Sequence, residues 1–159
     1  MQRRTLLTAT GAMFLPWLSP AARAHHGWSG FDQNRPLYLE GDAATVRWRN
    51  PHVEIDLELR PGLALPPDLA QRQVPAQTSP VDAPALLRST RLPDRKDRRW
   101  TVELAPLARM QAWQVAEIKP GTTIAVVGFT TAGEQGPPVL RAEYLFVAGK
   151  AYALRSSPV

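Results

Sequence analysis

The sequence contains three histidines and no cysteine, so any transition-metal chemistry rests on imidazole nitrogen. His25 and His26 stand side by side, and His52 follows Asn50-Pro51 in a segment of strand formers. A histidine that begins a processed chain offers two nitrogens to one ion, its free α-amine and its imidazole Nδ1. A further imidazole, from His26 or His52, completes a T-shaped set of nitrogens that suits copper in either redox state. Against this stands a plainer reading. A signal peptidase has to leave some residue first, and His52 can brace a turn in which Asn50 bonds the backbone.

Whether His25 comes first depends on residues 1–24. Arg3-Arg4 supplies positive charge, Thr5 to Leu18 is uncharged and mostly apolar, and Ala22-Arg23-Ala24 is a small-x-small cleavage site. The apolar stretch is too short and too interrupted to span a bilayer. Arg3-Arg4-Thr5-Leu6-Leu7 has the form of a twin-arginine export signal, and an ordinary secretory signal holding two arginines is the alternative. Cleavage after Ala24 places the protein in the periplasm, with no stable membrane insertion. Loss of Arg3, Arg4 and Arg23 takes the 19 bases to 16 against 14 acids, so the formal charge falls from +5 to +2. The basic balance that would suggest a nucleic-acid partner mostly disappears.

No enzyme signature accompanies the histidines: there is no Gly-Lys-Thr phosphate loop, Gly-x-Ser-x-Gly elbow, His-Glu-x-x-His or Gly-x-Gly-x-x-Gly. The sequence therefore points to a binding protein and not to a catalyst. Residues 25–36 form an N-terminal arm in which Trp28 and Phe31 are placed to pin it to the body of the protein. Asp32 is the carboxylate nearest the paired histidines and suits orientation of an imidazole, with solvent exposure as its default.

The elements that must position these groups are mainly strands. Val53, Ile55, Leu57 and Leu59 alternate with charged residues, and Trp100, Val102 and Leu104 repeat that period. Thr122 to Phe129 is a continuous β-branched and apolar run, expected to be covered on both faces. In Val139 to Val147, Leu140, Ala142, Tyr144 and Phe146 share one parity. The first strand, about Leu37 to Arg49, changes phase, and Gly41-Asp42 is where a bulge is expected. Ala105 to Val115 reads as a short helix with Pro106 in its first turn.

This order predicts a mainly all-β protein: one OB-like five-stranded Greek-key barrel over residues 37–155, with a short helix between strands three and four. A small sandwich is the rival. Residues 61–94 hold Pro61, Pro66, Pro67, Pro75, Pro80, Pro84 and Pro93 and read as an extended, polyproline-like insertion, either a solvated loop or a docking arm.

The motifs resemble an uncharacterised bacterial family of small exported proteins, a domain of unknown function. The resemblance lies in His25-His26-Gly27, Phe31-Asp32, Gly41 and Trp48-x-Asn50-Pro51-His52-Val53. It continues in Trp100-Thr101-Val102-Glu103, Ala112-Trp113 and Ile118-Lys119-Pro120-Gly121. It implies export and a shared β fold, and supplies no activity. Glu54 stands where the family is associated with an aromatic, and the insertion is longer than usual. Two functions are thus expected in competition. One is metal binding, copper foremost, through His25, His26 and His52, with Trp28, Asp32, Trp48 and Asn50 around them. The other is metal-free docking onto an envelope protein through the barrel and the insertion.

Overall fold

Strand β1 (Leu37–Arg47) is long enough to pair with two neighbours in succession. Its first half is antiparallel to β4 (Thr123–Phe129), and its second half to β2 (Glu54–Leu59). β2 continues to β3 (Arg99–Glu103), and β4 to β5 (Val139–Val147). β3 then meets β5 in parallel, through Thr101 to Glu103 against Val139 to Arg141, and closes a five-stranded barrel. The helix α2 (Leu107–Ala112) lies between β3 and β4, as the OB-like order requires. This computed structural model describes residues 27–159, so residues 1–24, read above as an export signal, and His25 and His26 lie outside the described residues. Among the described residues no helix is long and apolar enough to cross a membrane.

Alternation fills the barrel. Ile55 and Leu57 of β2, Trp100 and Val102 of β3, and Leu140 and Leu145 of β5 are fully buried in one cluster. The phase change in β1 is real, but the irregular register falls between Ala43 and Thr45, not at Gly41-Asp42. Gly41 has a different task. A Cβ there would lie 2.0 Å from the Glu58 carbonyl oxygen, so the glycine lets β1 and β2 approach where β1 is also bound to β4.

A second correction concerns β5. Val127 pairs with Tyr144 and Gly128 with Ala142, so Glu143 is an extra residue in the ladder. The parity therefore reverses along the strand. Leu140 and Ala142 face the barrel interior and so does Leu145, whereas Tyr144 and Phe146 belong to a second cluster outside it.

That outer cluster is made by the proline-rich insertion, which is neither a solvated loop nor an extended arm. It carries a 3-10 turn at Leu69–Gln71 and the helix α1 (Ala83–Ser89). Asp82 accepts a hydrogen bond from Ala85 N at 3.0 Å, and Pro84 occupies the first helical turn, where no N–H is needed. Leu69 and Leu87 are buried with Tyr38, Val127 and Tyr144. Prolines forbid a ladder here but do not forbid packing, because the leucines between them are apolar enough to cover the barrel. The two-sided burial of β4 is a consequence. Two elements were not expected from the sequence, α1 and the short β6 (Lys150–Ala153), a hairpin partner of β5.

Candidate functional site

His52 lies in the connection from β1 to β2, directly after the cis Asn50–Pro51 bond. The connection is laced to the junction between β3 and α2. Asn50 Oδ1 accepts from Leu107 N at 3.3 Å, Val53 N donates to the Ala105 carbonyl at 3.2 Å, and Leu104 N donates to the Val53 carbonyl at 2.8 Å. Asn50 thus bonds backbone, at the start of α2 and not within its own turn. Trp48 packs half-buried against the barrel core. The imidazole is held on a rigid rim.

The N-terminal arm reaches that rim. Trp28 lies in a 3-10 turn, Trp28–Gly30, and lines one small cavity of about 40 Å³ together with His52, Pro106, Arg109, Arg141 and Leu154. Its indole meets Phe129 edge-on at 6.1 Å and 81°. The Arg155 guanidinium stacks on the indole at 4.2 Å, and Arg141 stacks on Phe31 at 4.6 Å. Both arginines are also anchored by carboxylates. Arg141 meets Glu103 at 2.6 Å, and Arg155 meets the fully buried Glu143 at 2.7 Å.

Asp32 also has local bonds among the described residues. Its Oδ1 accepts from Asn34 N at 3.1 Å, and its own N–H donates to the Thr130 carbonyl at 2.8 Å. The carboxylate shapes the turn that leads the arm into β1. Arg35, at the end of the arm, is fastened to Asp94 and Glu134 at 2.5 and 2.9 Å.

Charge at the cavity is unbalanced. Glu103 and Glu143 offset Arg141 and Arg155. Half-buried Arg109 has no carboxylate partner among the described residues, and its guanidinium donates to the Leu154 carbonyl at 3.0 Å. Among the described residues no three His, Asp or Glu cluster in a way that could hold a metal ion, and His52 is the one histidine described. A metal centre built on His52 would need donors from outside the described residues.

Sequence reasoning overlooked Arg109, Arg141, Arg155, Phe129 and Glu143. A signal existed for two of them. Arg141 and Glu143 interrupt an otherwise apolar β5, and burial of charge in such a run calls for partners. Nothing in the spacing indicated that their partners would come from the arm and the C-terminal tail.

A family model described as a family of unknown function (DUF6152) matches residues 15–62. The match takes in the paired histidines, the arm, β1 and the turn bearing His52, and it bears out the resemblance to a domain-of-unknown-function family. No curated protein and no solved structure matches the chain.

Proposed function

We propose that this is an exported, periplasmic metal-binding protein that takes copper through its processed N-terminus and His52. One observation carries the proposal: the arm folds back so that Trp28 and His52 line the same cavity. His25 precedes Trp28 by three residues, a contour of at most about 11 Å. That span brings an α-amine and an Nδ1 on residue 25, or the imidazole of His26, within reach of His52. Nitrogen donors in this number favour copper over the other divalent first-row ions. The uncompensated Arg109 opposes any cation, so the donor set has to be strong. The rival docking function uses the barrel together with the proline-rich insertion, which would then act as part of the barrel's surface, since Leu69 and Leu87 are buried against it.

Copper titration of protein beginning at His25, by calorimetry and electron paramagnetic resonance, tests the proposal. Tight stoichiometric binding with a nitrogen-rich spectrum is expected. One residue added before His25 should abolish the chelate, and His52→Ala should remove one nitrogen from the spectrum. Affinity unchanged in both variants would refute it.

A further inference from the structure

The arm is held by a relay that begins in the insertion. Gln77 Nε2 donates to Glu143 Oε1 at 2.7 Å, and the other carboxylate oxygen accepts from Arg155 Nε at 2.7 Å. The far end of the same guanidinium donates to Gln33 Oε1 at 2.7 Å, and Gln33 Nε2 in turn donates to the Trp28 carbonyl at 3.3 Å. Arg155 also lies over the Trp28 ring, 4.2 Å from its centroid. One buried carboxylate therefore joins the insertion, the C-terminal tail and the arm.

The relay's geometry is fixed at each step. Glu143 is the extra residue of the β5 bulge, which aims a side chain out of the ladder's regular alternation. Gln77 cannot turn over without loss, because its Oε1 accepts from Ser156 N at 2.9 Å. The tail is clasped from both sides. Thr78 N donates to the Ser157 carbonyl at 3.0 Å, and Trp113 Nε1 donates to the Ser156 carbonyl at 2.8 Å. Arg155 is thus presented to Trp28 by a backbone that the insertion and α2 hold together. By contrast, the 3-10 turn of the arm has no buried residue of its own.

We infer that Glu143 and Arg155 are positioning residues: they hold Trp28, and with it the described start of the arm, beside His52, and Gln77 makes that setting depend on the insertion. The inference rests on the copper proposal for its consequence at the metal, but not for its claim about the arm. An isolated charge left in this place would disturb folding, so the test removes both charges together. The double variant Glu143→Gln, Arg155→Met retains a hydrogen-bonding partner for Gln77. Gln33→Ala is the companion, because Gln33 is exposed and its loss leaves the buried pair intact.

Two readouts are taken on protein beginning at His25: the Trp28 indole N–H resonance without metal, and copper affinity with its electron paramagnetic resonance spectrum. In the double variant the resonance is expected to move toward the free-peptide position. Copper affinity should fall at least tenfold, and the spectrum should become that of His52→Ala. Gln33→Ala should show the same changes, smaller. A resonance that stays in place overturns the inference. So does one that moves while affinity and spectrum stay unchanged. If the parent protein binds no copper and the resonance still moves, the copper proposal fails and the hold of Arg155 on the arm is supported alone.

Discussion

Arg47 shows how single residues set the pH response of this protein. Its guanidinium makes two hydrogen bonds to Asp56, at 2.8 and 3.0 Å, and one to Glu54 at 2.8 Å. Those bonds hold the Asp56 carboxyl below its ordinary value, against the opposing effect of burial. Protonation then favours the unfolded chain. The stabilisation is complete above the unfolded value of about 3.9 and is lost as pH falls through the folded one. Arg47→Gln should therefore cost stability at neutral pH, with the deficit shrinking as pH drops from about 5 to about 2. Denaturant midpoints of parent and variant across that range check it, and a constant gap would contradict the assignment. Arg109 gives a prediction of opposite character. Replacing this uncompensated guanidinium with glutamine should tighten copper binding by about 1 kcal/mol, roughly fivefold, since a nearby like charge is removed. Competition titration would reveal it, and weaker binding would mean that Arg109 supports the site. Gly41→Ala should destabilise by about 2 kcal/mol or more, because the new Cβ meets backbone that has no room to yield. Thermal melting would register it.

At the level of elements, the proline-rich insertion is the part that the sequence hid. The barrel strands were legible because alternation at period two leaves one solution for each face, and α2 was legible from Pro106 and its helix formers. The bulge in β1 was legible as a phase change but not in its position, and the one in β5 not at all. A one-residue slip reverses a whole strand face, yet only the partner strand shows where it happens, as with Ala44 in β1 and Glu143 in β5. The insertion failed for another reason: seven prolines argue correctly against a ladder, but packing of Leu69 and Leu87 is decided by β4 and β5, far along the chain. Even so, β4 held a clue, since a strand apolar on both faces needs a cover. Leu87→Ala should accordingly cost about 2–5 kcal/mol, as in a genuine core, when measured by chemical denaturation. A loss under about 0.5 kcal/mol, the range for surface substitutions, would restore the solvated-loop description. The candidate site was half legible. His52 and Trp28 were visible as motif residues, whereas the arginines that surround them needed the tertiary fold to become neighbours.

For the whole molecule, the copper proposal depends on where processing ends. Intact-mass measurement of protein recovered from the periplasm of an expressing bacterium should give a chain beginning at His25. A mass one residue longer or shorter would remove the α-amine from its partner imidazole. The barrel's connectivity also sets a clock. Leu37 pairs with Gly128, so the central strand is made early and finds half its partners only after most of the chain has emerged from the ribosome. Closure of β3 on β5 waits later still. Chains dominated by such distant pairings fold in about milliseconds to seconds, and until then the β1 edge is open. An unpaired strand edge of this kind is prone to aggregation and is the sort of surface that holding chaperones cover, so β1 is at risk until its partners arrive.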